Sequence, residues 1–290
     1  MCAASAASFG AMGIFGKLAY DAGVGVLTLL VVRFVLAGLM LAVANAVRRP
    51  RPRRPGRRAL LFALGLGAIG YATQSGLYFS ALTRIDAGLA ALVLYLYPSL
   101  VTIGAVVLGR DRLDRVRAAS LLLAFVGLAL VVFVGDPARV DTLGVALALG
   151  AAVAYTGYIL ISDTVLSEEI DPLALGACVC AGAAASFVLA SALSGDASLS
   201  FDAIGWLWLA AIAVVSTVLA IVLFFGGLAR VGPSRASIIS TIEPLVTVGL
   251  AALVFGEGLT ATQLAGGALV LGSVVLLQTL GRHPPATTSA

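Results

Sequence analysis

Long apolar runs rich in Ala, Leu, Val and Gly alternate along the chain with short clusters of charged and turn-forming residues, as in LLLAFVGLALVVFVG from Leu121 to Gly135. Membrane β-strands alternate apolar and polar positions with a period of two. These runs are unbroken, which is the pattern of membrane helices. About 20 residues at 1.5 Å rise cross a hydrocarbon core of about 30 Å. Runs at residues 3–20, 26–47, 59–83, 86–108, 117–134, 142–163, 172–194, 203–229, 233–255 and 260–280 therefore predict ten transmembrane helices.

Composition excludes a soluble fold. Of 290 residues, 61% are hydrophobic and only 11% charged, against about 25% charged in a soluble globular chain, and the mean hydropathy is +1.09. Ten spans leave almost no chain for a soluble domain. The first run has no basic lead-in and no cleavage signal, so it is read as a retained span. Eighteen basic residues, a single lysine among them, stand against 14 acidic ones. When loops are assigned to alternate sides, Arg48 to Arg58, Arg110 to Arg117, Arg230, Arg235 and Arg282 fall on one side, and only Arg84 and Arg139 on the other. The positive-inside rule then predicts that both termini are cytoplasmic; the location expected is the bacterial cytoplasmic (inner) membrane, with Trp206 and Trp208 at the outer surface and a disordered tail from Arg282 to Ala290. This charge pattern reports topology and not a nucleic-acid partner. Cys2, Cys178 and Cys180 read as packing residues, since the last two point to opposite sides of a helix and cannot easily pair.

The chain also repeats itself. One ungapped register places Phe9 on Tyr155, Leu82 on Leu228, Arg84 on Arg230, Ala90 on Ala236, Pro98 on Pro244, Asp111 on Glu257 and Leu123 on Leu269. Each half, residues 1–136 and 137–281, holds an odd number of helices, so the second half must enter the bilayer upside down. Inverted five-helix repeats of this kind build many secondary transporters, with the substrate near the midplane where the halves meet. The fold class expected is all-α integral membrane, ten helices in two inverted repeats.

Polar residues within the spans mark the candidate site. Glu243 falls in the middle of the ninth run, where a charged carboxylate costs about 2.5–3.5 kcal/mol, so it must face protein or water. It is the first candidate for proton coupling or for contact with a substrate amine. Pro98 and Pro244 lie mid-span and free the carbonyls of Leu94 and Ser240, predicting paired kinks and hinges. Ser237, Ser240 and Thr241 share a face and form a possible polar wall, unless their hydroxyls bond back to their own helix. Six of the seven tyrosines fall in the third, fourth and sixth runs. Tyr71, Gln74 and Tyr78 stand a turn apart on one face; together with Tyr95, Tyr155 and Tyr158 they predict an inward-facing aromatic vestibule, suited to flat apolar solutes and organic cations. Lys17 and Arg33 read as snorkelling residues, with Lys17 alternatively facing the cavity or a buried acid as a second charge for coupling. The sole histidine, His283, lies in the tail; no Walker motif, metal-ligand cluster or cofactor motif occurs, and phosphorylated substrates lack the cation cluster they need.

The stretch from Glu243 to Leu277 resembles the last two helices of the EamA domain of the drug/metabolite transporter superfamily in Glu243-Pro244, in Gly256-Glu257 with Leu259 and Thr260, and in Gln263 and Gly266. FGAMGIFGKLAY is similar to the family's first helix, although Phe9 stands where a tryptophan is usual, and Arg110-Asp111 replaces the first copy's Gly-Glu pair. The resemblance implies a ten-helix exporter of small metabolites, nearest to exporters of aromatic amino acids. The function expected is thus alternating-access export of small organic metabolites, amino acids including aromatic ones, with membrane lipid as surroundings, protons as a possible counter-ion and no enzymatic activity. The alternatives are export of other drugs or organic cations, and a membrane-embedded enzyme acting on lipid-linked substrates.

Overall fold

Ten helices long and apolar enough to cross a membrane form among the described residues of the computed structural model, which are 1–48, 56–133, 141–165, 170–196 and 198–280. They are α1 (Cys2–Asp21), α2 (Val26–Val47), α3 (Arg57–Ala81), α4 (Ala87–Val107), α5 (Arg115–Val132), α6 (Thr142–Ser162), α7 (Pro172–Ser194), α8 (Ala203–Gly232), α9 (Arg235–Phe255) and α10 (Ala261–Leu280). Arg49, Arg51, Arg53, Arg54, Arg139, the expected boundary at residues 136 and 137, and the tail from Arg282 with His283 lie outside the described residues. Large apolar side chains such as Leu39, Ile69, Leu122, Val153, Leu189 and Leu253 point outward. That surface is tolerable only where lipid replaces water.

Several helices are interrupted; the breaks before the two prolines fall in register between the halves, and the π turns lie within two residues of register. Helix α4 breaks at Tyr95 and Leu96, where the bonds tighten to Leu96 N–H on Val93 at 3.2 Å, and the helix restarts at Tyr97 with Pro98 in its first turn. Helix α9 breaks at Thr241, whose N–H reaches Ile238 at 3.1 Å, and restarts at Ile242 just before Pro244. Both prolines therefore occupy a first turn, where a missing N–H costs least. A π-helical turn interrupts α3 at Leu66–Tyr71 and another interrupts α8 at Val214–Leu219. The register that superposes Pro98 on Pro244 carries Tyr71 onto Thr217.

Packing follows the same exchange. Helix α1 packs on α8 and α9, and α6 on α3 and α4; α2 packs on α7, α4 on α9, and α5 on α10. Replacing each helix by its counterpart in the other half returns the same set of pairs. The α5/α10 pair is held close by Gly127 and Gly266: a Cβ on Gly127 would sit 2.6 Å from the Gly266 carbonyl oxygen, and one on Gly266 would sit 2.5 Å from that of Gly127. Gly127→Val is expected to destabilise the detergent-solubilised protein by about 1–3 kcal/mol, the usual cost of overpacking. A thermal-unfolding midpoint unchanged from wild type would contradict this contact.

Polar caps fix the corners. The Asp141 carboxylate accepts the Gly144 N–H at 2.9 Å at the start of α6; this bond, with the nearby Arg84 guanidinium at 3.3 Å, holds its carboxyl below the usual carboxylate range. Asp171 caps α7 through the Leu173 N–H at 3.0 Å and receives Arg48 from the end of α2 at 2.9 Å. The turn from α9 to α10 explains several motif residues at once. Gly256 ends α9 in the left-handed region (φ 65°), which favours glycine. Thr260 and Gln263 form a reciprocal capping box, the Thr260 N–H donating to Gln263 Oε1 at 2.9 Å and the Gln263 N–H to Thr260 Oγ1 at 3.2 Å.

Candidate functional site

A cavity of about 300 Å³ lies among α1, α2, α3, α4, α6, α7, α8 and α9, at the small end of the range for small-molecule sites. The interruptions of the helices place its wall. The π turn of α3 ends at Tyr71, and Gln74 and Tyr78 follow at one-turn spacing; all three line the cavity. The break in α4 puts Tyr95 and Tyr97 there, and the break in α9 puts Ser240, Glu243 and Pro244 there. Tyr97 and Glu243 are equivalent in the repeat register, each the residue before the proline.

Aromatic rings form a continuous ribbon that begins behind the wall at Phe187 and Phe34 and runs along it through five tyrosines. Phe187 stacks on Phe34 at 5.7 Å, Phe34 meets Tyr71 edge-on at 5.6 Å, and Tyr71 lies 5.5 Å from Tyr158. Tyr158 stacks on Tyr155 at 5.8 Å, Tyr155 meets Tyr97 at 4.7 Å, and Tyr97 meets Tyr95 at 5.7 Å. Such ring pairs contribute beyond their buried area and fix one another's orientation.

The backbone carbonyl released at the α9 break is taken up by a side chain. Pro244 cannot donate to the Ser240 carbonyl, and the Tyr95 hydroxyl donates to it instead at 2.7 Å. The interruption of one half is thereby tied to that of the other. Helix α1 crosses α9 at the same level: Thr247 Oγ1 lies 2.8 Å from the Gly10 carbonyl oxygen and 3.2 Å from that of Glu243. A Cβ on Gly10 would sit 2.7 Å from the Glu243 carbonyl oxygen, so only glycine allows this approach.

Of the residues singled out from sequence, Gln74, Tyr78, Tyr95, Tyr155, Tyr158, Ser240, Glu243 and Pro244 line the cavity; Ser237, Thr241, Pro98 and Lys17 are not among its lining residues. Thr241 bonds back to its own helix, its hydroxyl donating to the Ile238 carbonyl at 2.6 Å. Lys17 pairs with Glu257 at 2.5 Å and, more distantly, with Asp86 at 3.8 Å. The other Glu257 oxygen accepts the Ala87 N–H at 3.0 Å at the start of α4, where the helix dipole favours a carboxylate. One ion pair thus joins α1, the entry to α4 and the turn after α9.

Arg33 departs from the snorkelling expectation. It is 1% exposed and lines the cavity; its Nε donates to Thr217 Oγ1 at 3.1 Å. The Thr217 hydroxyl in turn reaches the Ile212 carbonyl at 3.0 Å, five residues back, as the π turn allows. The guanidinium stands 4.7 Å from the Phe34 ring and 5.2 Å from the Phe79 ring. Tyr71 lines the cavity as its stripe on α3 predicts, and Tyr97 joins the wall as well; its repeat partner Glu243 was the available signal for Tyr97.

Comparison with known proteins places this architecture. A family model described as the EamA-like transporter family matches residues 1–133 and 142–279. An uncharacterized transporter of Archaeoglobus fulgidus is 30% identical over 73% of this chain and 74% of its own length. The uncharacterized transporter YcbK of Bacillus subtilis is 27% identical over 89% of this chain and 85% of its own. A solved crystal structure covers 94% of this chain and 95% of its own with a TM-score of 0.65 at 20% identity, a likeness of fold.

Proposed function

The chain belongs to the EamA-like transporter family, and from that premise we propose that it exports small organic metabolites, amino acids including aromatic ones, across a bacterial inner membrane by alternating access. The family and the ten apolar helices make it a multi-pass membrane transporter. The observation that carries the finer reading is the aromatic cavity with Glu243 on its wall, framed by the paired breaks at Tyr95–Leu96 and Thr241. Packing that survives exchange of the halves supports two inverted repeats, residues 1–136 and 137–281, rocking about those breaks. With both termini cytoplasmic, the Lys17–Glu257 pair closes the outer end, while Pro172, Leu175 and Phe224 line the inner reach of the cavity.

Glu243 is the group suited to carry a proton, because dry surroundings favour the neutral acid and wet ones the carboxylate. Proteoliposomes containing the protein are expected to exchange labelled phenylalanine, and a pH gradient to accelerate net movement. In Glu243→Gln, whatever exchange survives no longer responds to the gradient. Gradient dependence equal to that of wild type removes Glu243 as carrier, and a broad panel in which no amino acid moves removes the substrate assignment.

A further inference from the structure

Two arginines are deeply buried among the described residues, and they differ in their company. Arg117 holds Asp111 at 2.7 Å and Asp114 at 3.2 Å. Arg33, 1% exposed, has no carboxylate of the described residues within ion-pair distance. Its Nε is used by Thr217, the Tyr71 phenol lies within its hydrogen-bonding reach, and the Phe34 and Phe79 rings flank it; none of these partners carries a negative charge. Rings attract a cation without neutralising it, and an unpaired charge in a low-dielectric wall is expensive to keep. Its guanidinium borders a cavity large enough for a small molecule. The missing partner is therefore an anion that arrives with the solute.

Among the described residues, Glu243 is the one carboxyl side chain on that cavity wall, and no ion pair joins it to Arg33. Tyr71 and Tyr78 line the same cavity as both residues. The cavity wall thus carries a guanidinium and, not paired with it, a carboxyl group, with aromatic rings lining the same hollow. We propose that Arg33 is the specificity-determining residue that receives the substrate's carboxylate, with Glu243 receiving its ammonium group, so that the cavity selects zwitterions bearing an aromatic or large apolar side chain. A single guanidinium opposed by a carboxylate suits a monoanionic carboxylate and works against a phosphate dianion, which calls for several cations. This assignment rests on the reading of the cavity as an amino-acid transport site.

The test compares three solutes of one shape: phenylalanine, phenethylamine, which lacks the carboxylate, and phenylpropionate, which lacks the ammonium. Each competes against labelled phenylalanine in proteoliposome counterflow, and each is assayed for thermal stabilisation of the purified protein. Wild type is expected to prefer phenylalanine over either truncated compound by about 10- to 100-fold, the worth of one charged hydrogen-bonded contact. In Arg33→Gln phenylalanine falls to the level of phenethylamine; in Glu243→Gln it falls to that of phenylpropionate. Arg33→Lys, which keeps the charge without the planar fork, shows intermediate discrimination and serves where the glutamine variant is poorly folded. Discrimination in Arg33→Gln and Arg33→Lys equal to wild type, with phenylalanine still transported, overturns the role of Arg33 alone. A wild-type protein that moves other solutes but no amino acid overturns the underlying reading, and this assignment with it.

Discussion

Lys17→Glu is expected to leave the outer end of the transporter unable to close, and to reduce transport to near background. Lys17 is 20% exposed and Glu257 10%, so the pair is largely withdrawn from water. Removing one partner from a buried pair costs about 3–5 kcal/mol; the partial exposure of Lys17 puts the cost near the lower end, about a hundredfold in a two-state population. Reversal adds to this by placing a third carboxylate beside Asp86 and Glu257. The measurement is labelling by a membrane-impermeant maleimide of Ala91→Cys, a cavity-lining position on α4, in a background without Cys2, Cys178 and Cys180. Labelling from outside should rise at least tenfold in Lys17→Glu. The further change Glu257→Lys restores attraction across the pair, but a lysine cannot accept the Ala87 N–H that Glu257 accepts at 3.0 Å, so recovery is partial. Equal labelling in wild type and Lys17→Glu removes this ion pair from the closure of the outer end.

The ion pair also marks where sequence reading stops. Lys17 and Glu257 were each conspicuous, one as the lone lysine and the other as part of the Gly-Glu motif, but nothing local joins residues so far apart in the chain. The ten helices were legible because unbroken apolar runs need only their length counted. The direction in which each helix faces was legible only where polar side chains broke the apolar surface: Tyr71, Gln74 and Tyr78 had to face inward because lipid offers no partner for a phenol or amide. Arg33 had no such stripe around it, and the rotation of α2 that buries it is set by packing on α7 and by Thr217. The π turns at Leu66–Tyr71 and Val214–Leu219 left no trace in composition, although they deliver Tyr71 and Thr217 to the site. The serine and threonine wall on α9 failed in part for a local reason. Ser240 borders the cavity, but its hydroxyl bonds back to the Ala236 carbonyl at 2.9 Å, as that of Thr241, at the break, does to Ile238.

Tyr95→Phe should lower both stability and turnover, and its combination with Pro244→Ala should separate the two effects. The Tyr95 hydroxyl is the donor that satisfies the Ser240 carbonyl, which Pro244 cannot serve. Its loss leaves a carbonyl without that donor, at a cost of about 1–3 kcal/mol. Because Ser240 borders the cavity, entering water offsets part of this, and a drop in turnover of about tenfold is expected in proteoliposome exchange. Alanine at position 244 regains an N–H in helical position for the Ser240 carbonyl. In the double variant the carbonyl is therefore satisfied within α9, and the thermal midpoint should return toward wild type. The break at Thr241 loses its cause in the same step, so a hinge that depends on it stays impaired and transport does not return. The two residues are coupled through one carbonyl, and their stability effects must be non-additive. Additive stability losses, or recovery of transport together with stability, would contradict a break in α9 that works as a hinge held by a phenol of the opposite half.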